Sequence, residues 1–441
     1  MKKPDREYPS SRYAWYMVIV LTFAYILSFV DRYILGLLIE PIKADLGLTD
    51  TQIGYLLGLA FAIFYSFAGI PLGYLADRTR RTFLVAAGVA VWSIATAASG
   101  LAKNFTHLFL ARMTVGAGEA TLSPCTMSMI SDSFPREKRG KPIAFYTAAL
   151  SVGAGVASLV SAGVLTWAKS VPEISLPWVG AVAPWQFTFI VVGLPGILLA
   201  LLMLTLREPK RHRTQGETVN PRFGDMLKHV ASKWNIYLSF VSFVCLMTII
   251  AYSQGWYAAM FQRTWGWEPE TYATVNAIVL LAVGPLTVNL AGWMNDRLYS
   301  QGKTDAPLTI MILGVLVMVP TAIIAPLMPS PIIAMAILGV NTAGIAMTSA
   351  TGVTGLMNIT PAEIRGQVVA IYYMMISMSG LLLGPGTVGY LSDHVFGNEN
   401  LNYAAAAVPA IFGIPVILLI GYARRVYKAE VERQAVAEGE V

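Results

Sequence analysis

Charge is what this chain has least of. Only 13% of its 441 residues are Asp, Glu, Lys or Arg, about half the roughly 25% usual in soluble domains. With 56% hydrophobic residues and a mean hydropathy of +0.60, that charge is too sparse to cover two or three soluble domains. The composition predicts an integral membrane protein. The two cysteines, Cys125 and Cys245, lie in apolar stretches and build neither a disulfide framework nor a zinc site. The four histidines, His107, His212, His229 and His394, avoid the middle of every apolar run, which removes chemistry relying on a central intramembrane His. Phosphate-loop, HExxH and GxSxG patterns are missing too. No metal, cofactor, direct ATP use or enzymatic activity is expected.

What is present are apolar runs, each about the 20 residues a helix needs to cross hydrocarbon. They fall near 14–39, 52–75, 83–102, 106–131, 142–167 and 186–206, then near 235–262, 271–293, 306–327, 331–356, 366–391 and 404–423. The polar start, Met1 to Arg12, followed by so long a run, reads as a retained first helix rather than a cleaved signal. Lys and Arg divide unevenly between the connections. Twenty-five lie in the termini and the loops after even-numbered spans; four (Lys43, Lys103, Lys169, Arg263) lie on the opposite side. The positive-inside rule then puts both termini in the cytoplasm of a multi-pass inner (plasma) membrane protein. The net charge of +6 is this topology signal, and nucleic acid is not an expected partner. Arg207 to Lys233 separates two halves, so the expected domains are 1–206, a linker at 207–233, and 234–441. Within the linker, the stretch from Phe223 reads as either a short surface helix or a solvated tether; the tail from Arg424 reads as a solvated extension.

The halves repeat one another. GYLADRTRR (from Gly73) follows span two and GWMNDR (from Gly292) follows span eight. PREKRGKPIAFY (from Pro135) and PAEIRGQVVAIY (from Pro361) stand 226 residues apart, with Pro, Glu, Arg, Gly, Ala and Tyr in register. Duplicated six-helix bundles, with a substrate site at their interface, are a transporter architecture. The Gly73-to-Arg81 loop resembles the signature loop of the major facilitator superfamily. More narrowly, the segments from Phe29 (FVDRYILGLLIEPIKADLGLTDTQIGYLLG), Ala111 (ARMTVGAGEATLSP) and Phe134 (FPREKRGKPIAFY) resemble Spinster-type transporters. That resemblance implies an all-α membrane fold of twelve helices in two pseudo-symmetric bundles, the first and fourth helices of each lining a central cavity. It also implies a monomer working by alternating access on sphingosine-1-phosphate or a lysophospholipid, in some relatives with protons. The alternative is a proton-coupled carrier of small organic anions such as sugar acids or drugs. A non-transporting receptor or lipid-modifying enzyme is the reading from another class, and the spans lack the nucleophile–base pair the enzyme would need.

Four charges lie well inside spans: Asp31 and Arg32 in the first, Arg112 and Glu119 in the fourth. A charge at a helix centre costs about 2.5–3.5 kcal/mol on insertion scales. At 1.5 Å per residue, Asp31 and Arg32 lie about 12 Å deep, Arg112 about 9 Å and Glu119 roughly 20 Å. Arg112 and Glu119 share a face, because seven residues nearly complete two turns. One reading is plain fastening, Asp31 with Arg112 and Glu119 with Arg32. The sharper one has Arg112, with Arg32, hold an anionic head group through forked hydrogen bonds, while desolvated Glu119, or Asp31, carries a coupled proton. The C-terminal half has no such charges, so Tyr252, Trp256 and Asn341 are its expected substrate contacts. Asp77, Arg78, Arg81, Arg139 and Arg365 are the expected cytoplasmic gate residues, Asp77 sitting at the start of span eleven. Gly54/Gly58, Gly69/Gly73 and Gly380/Gly384 have the spacing for close helix approach, and Asn104-Phe-Thr fits a glycosylation sequon.

Overall fold

Backbone amides and carbonyls find no water in hydrocarbon, so an apolar chain of this kind must satisfy them within helices. The computed structural model describes residues 8–135, 138–171, 175–176, 180–211, 223–361 and 364–438. Its spans are Ser11–Leu37 (span 1), Asp50–Leu57 with Leu59–Arg78 (span 2), Arg81–Ser99 (span 3), Phe105–Glu119 with Leu122–Ser133 (span 4), Gly140–Ser170 (span 5) and Pro184–Leu204 (span 6). Then come Trp234–Ser253 with Gln254–Trp256 and Tyr257–Trp265 (span 7), Pro269–Ser300 (span 8), Ala306–Ile324 (span 9), Pro331–Met357 (span 10), Arg365–Leu391 (span 11) and Leu401–Leu418 (span 12). Eleven helices among the described residues are long and apolar enough to cross a membrane. Span 4 completes the expected twelve in two pieces of 15 and 12 residues.

The chain forms two compact units, Met1–Gln215 with Trp267–Leu281, and Gly216–Gly266 with Ala282–Val441. The start of span 8, as far as Leu281, thus groups with the first unit. The reason lies in packing: a Cβ on Gly155 of span 5 would stand 2.6 Å from Leu281 Cγ. Lys169 Nζ also pairs with Glu270 (2.7 Å) and Glu268 (3.1 Å).

In the first unit span 3 packs between spans 4 and 6, and glycine decides how close. A Cβ at Gly116 would lie 2.5 Å from the Phe61 carbonyl oxygen, and one at Gly118 would lie 2.7 Å from that of Gly88. Of the pairs singled out in the sequence, Gly380 and Gly384 do press on span 7, whereas Gly69 and Gly73 face open space. Asn104 caps span 4, its Oδ1 accepting from the His107 amide (2.9 Å).

In the second unit spans 9 and 10, and spans 7 and 11, are the closest pairs. The tail is not a solvated extension. Helix Ile420–Glu438 docks through buried Ala423, Tyr427, Glu430 and Val431. The Tyr427 ring stacks on Phe240 (5.5 Å between centroids), and its hydroxyl donates to the Gly355 carbonyl (3.0 Å). Lys233 pairs with Glu430. Phe223–Ser232 forms a helix that buries Met226 in the same cluster and leaves Leu227 and Lys228 exposed.

Close packing at Gly116 predicts that Gly116→Val destabilises the folded protein by about 2–3 kcal/mol through overpacking, while Gly69→Val, in open space, leaves it unchanged. Thermal unfolding followed by tryptophan fluorescence in detergent separates the two; equal midpoints would refute the packing argument.

Candidate functional site

The four intramembrane charges meet in the first unit. Adjacent on span 1, Asp31 and Arg32 point about 100° apart around the helix, so they serve different neighbours. Arg32 Nε donates to Glu119 Oε2 at 2.8 Å, and its Nη2 makes a second bond to the same oxygen. Arg112 Nη1 donates to the main-chain carbonyl of Asp31 at 3.0 Å. Of the two fastening pairs expected, Glu119 with Arg32 forms through side chains. Arg112 reaches Asp31 through its backbone, leaving the carboxyl beside Thr96 of span 3.

Exposure distinguishes the two arginines. Arg112, Asp31 and Glu119 are 2%, 1% and 3% exposed, whereas the Arg32 side chain keeps 19%. Three rings surround its guanidinium: Phe61 at 4.6 Å, Tyr65 at 5.3 Å and Phe29 at 5.7 Å from centroid to Cζ. Tyr25 continues this aromatic surface from Phe29 (5.3 Å) to Tyr146 (4.9 Å, stacked). Glu119 is the last residue of its helix, and the break at Ala120 and Thr121 follows it. Arg112 Nε, Asp31 Oδ1 and Glu119 Oε1 have no hydrogen-bond partner among the described residues. The cluster sums to zero charge, with one cation presented at its edge.

At the basic-rich end of the unit, Arg81 is 1% exposed. Its Nε donates to Glu208 Oε1 (2.7 Å), Nη1 to Asp132 Oδ2 (2.5 Å) and Ser128 Oγ (2.7 Å), and Nη2 to the Pro209 carbonyl (3.0 Å). Expected at a gate, Arg81 is placed as a fastener of spans 3 and 4 and the chain after span 6. Arg211 adds bonds to the Ala76 (2.7 Å) and Thr79 (2.5 Å) carbonyls at the end of span 2. Neither Glu208, Asp132 nor Arg211 stood out in the sequence, because nothing in a solvated-looking charge marks it as the partner of a residue about 50 to 130 positions away. Arg78 lies over the Tyr74 ring at 4.0 Å, and the side chain of Asp77 lies outside the described residues. Arg139 Nε donates to the Phe134 carbonyl (2.8 Å) and Arg365 Nε to the Thr360 carbonyl (3.1 Å). Those two bonds are the same bond in two repeats, both partners shifted by 226 residues.

The second unit presents less than its sequence promised. Trp256 is fully buried, its indole N–H given to the Pro385 carbonyl (3.0 Å). Asn341 is fully buried and bonded on both ends of its amide. Tyr252 is half-buried against Gly380. The polar edges of Trp256 and Asn341 serve packing within the unit. Among the described residues, no group of three or more His, Cys, Asp or Glu could hold a metal.

Comparison with known proteins places this geometry in context. The family model described as Major Facilitator Superfamily matches residues 21–357 and 256–439. An MFS-type efflux pump of Mycolicibacterium smegmatis is 27% identical over 95% of this chain and 92% of its own length. The D-galactonate transporter of Escherichia coli is 25% identical over 93% of this chain and 96% of its own. Among solved structures, a bacterial homologue of the human lysosomal transporter Spinster, inward-facing and unoccupied, superposes with TM-score 0.78 at 24% identity. That match covers 96% of this chain and 98% of the other.

Because Arg81 is buried with all its partners inside one unit, Arg81→Ala is expected to cost about 3 kcal/mol, the lower end for breaking a buried pair. Removing Glu208 as well should return part of that loss. A double-mutant cycle on unfolding midpoints reads the coupling, and strictly additive effects would show that the bond fastens nothing.

Proposed function

We propose, from the premise that the chain belongs to the Major Facilitator Superfamily, that it moves an anionic amphiphile across the membrane with coupled protons. The class is sphingosine-1-phosphate or a lysophospholipid. The observation that carries this reading is Arg32: alone of the four buried charges it keeps an exposed edge, and aromatic rings border it. A guanidinium fork suits a phosphate or carboxylate. The rings of Phe61, Tyr65, Phe29 and Tyr25 suit the apolar body attached to it, and they offer few hydrogen bonds to a polyhydroxylated one.

Coupling follows from charge balance. When a substrate anion takes up the Arg32 fork, Glu119 loses its partner in a medium that does not tolerate a bare carboxylate. A proton on Glu119 restores neutrality, and its release returns Arg32 to Glu119 and expels the anion. Arg112, held on the Asp31 carbonyl, sets the field in which this exchange occurs; Asp31 is the second carboxyl able to take a proton. In this reading the bundles are 1–206 and 234–441, joined by the 207–233 linker, with both termini cytoplasmic and the monomer as the working form. The gate residues, Asp77 with Arg78, Arg81, Arg139 and Arg365, close the cytoplasmic side. Sugar-acid transport is the second reading, favoured by the likeness to the D-galactonate transporter across nearly the whole chain.

Flux into sealed proteoliposomes under an imposed pH gradient tests both. Labelled sphingosine-1-phosphate is expected to move, to respond to the gradient, and to lose that response in Glu119→Gln. Arg32→Lys keeps the charge but not the fork, and is expected to raise KM about tenfold. Movement of D-galactonate alone would keep the transporter and discard the amphiphile.

A further inference from the structure

Span 7 does not run unbroken. Its α-helix stops at Ser253, passes through a 3-10 turn at Gln254–Trp256, and resumes at Tyr257. A tight turn in the middle of a membrane helix needs support from outside the helix. Two side chains supply it here. Gln254 Nε2 donates to Asn341 Oδ1 of span 10 at 2.7 Å. Trp256 Nε1 donates to the Pro385 carbonyl of span 11 at 3.0 Å. Asn341 passes the first contact on: its Nδ2 donates to the Met318 carbonyl (2.8 Å) and to Thr321 Oγ1 (3.1 Å), both on span 9.

The carbonyl and both N–H groups of one fully buried amide are therefore engaged, and they tie span 10 to spans 7 and 9. Both N–H donors of Asn341 are taken, so it can offer a ligand no donor unless one of those bonds breaks. The spans it joins are already close. Cβ atoms at Gly314 and Gly344 would each stand 2.8 Å from the other's carbonyl oxygen, so spans 9 and 10 touch backbone to backbone just where Asn341 ties them. On the other flank, a Cβ at Gly384 would lie 2.7 Å from the Ile249 carbonyl oxygen and 3.1 Å from the Ser253 amide nitrogen.

We infer that Asn341 and Gln254 are positioning residues. They pin the broken turn of span 7 to spans 9 and 10, so that Tyr257–Trp265 travels with those spans as one body rather than swinging at the break. This rests on the transport reading for its consequence, since a pinned turn matters to a protein whose spans must move together. It gives Asn341 a mechanical role in place of the substrate contact its sequence position suggested.

Hydrogen–deuterium exchange on the full-length protein in lipid nanodiscs tests the pinning without any substrate. Gln254→Ala, Asn341→Ala and the double variant are compared at peptides covering 254–265. Each single change is expected to speed exchange there about tenfold, the scale of one lost hydrogen bond. The double variant should add nothing beyond Asn341→Ala, because the two residues act as a unit. Unchanged exchange, or additive effects, overturns the inference. Gln254→Ala removes one bond from a half-buried side chain and keeps the test decisive if Asn341→Ala fails to fold. In proteoliposomes, Gln254→Ala should lower the turnover of sphingosine-1-phosphate or D-galactonate about fivefold or more with KM unchanged; a raised KM at unchanged turnover would return the pair to ligand binding. If the wild type moves neither probe, the transport reading fails, and the exchange measurement still decides the pinning.

Discussion

A charge inside hydrocarbon persists only beside its opposite, and the Arg32–Glu119 pair is where this protein meets that condition most sharply. Each of the two costs about 2.5–3.5 kcal/mol on insertion scales if left alone. The pair recovers part of this through two bonds to one carboxylate oxygen. Much of the first unit is arranged around the requirement. Span 4 must approach spans 2 and 3 closely enough for Glu119 to reach across, and Gly116 and Gly118 remove the side chains that would hold it off. The helix ends on Glu119, and the break at Ala120 and Thr121 lets the rest of the span take its own course. Phe29, Phe61 and Tyr65 cover the guanidinium without competing for its hydrogen bonds.

The same rule operates at the basic-rich edge, where water is near but spans still end. Arg81 is buried yet spends its donors on two carboxylates, a serine and a carbonyl. Arg139 and Arg365 each cover a carbonyl five residues earlier. Chain ends within a membrane leave carbonyls without helical partners, and arginine, with five donors on a rigid fork, can serve several at once. The duplicated motif thus has a local purpose in each half, apart from any contact between halves.

The spans were legible because twenty apolar residues in a row have one physical outcome in lipid. The four buried charges were legible for the complementary reason, as exceptions in those runs. Their pairing was half legible: helical spacing put Arg112 and Glu119 on one face, but nothing local could say that Arg112 would take the Asp31 carbonyl instead of its carboxyl. The break at Ala120 stands four residues before Pro124, whose ring excludes a helical carbonyl there, and the one at Gln254–Trp256 holds Gly255, which loosens the helix; what holds each in place comes from neighbours distant in sequence. For Trp256 and Asn341 the residues were legible and their bonding partners were not. A polar side chain in an apolar span advertises a bond without naming its partner, and here the partners are Pro385, Met318, Thr321 and Gln254. The tail was misjudged because its buried stripe, Ala423, Tyr427 and Val431, is short and interrupted by charge.

In the proposed function, the choice of Arg32 over Arg112 rests on exposure rather than on depth. Arg112 lies nearer a membrane surface by residue count, yet it is the more buried of the two, because Asp31 and its own helix enclose it. To free it, a ligand would have to take a fully buried guanidinium off the Asp31 carbonyl. To free Arg32, a ligand has only to replace one carboxylate by another anion of similar shape, and the exchange leaves every other bond in place. An exchange of like for like has a small net energy, which suits a carrier that must release what it binds. The same economy fixes the role of the rings. In the proposed function they would give the ligand's apolar body the affinity that the anion exchange alone does not provide, since the guanidinium's gain from the ligand would be nearly matched by its loss of Glu119.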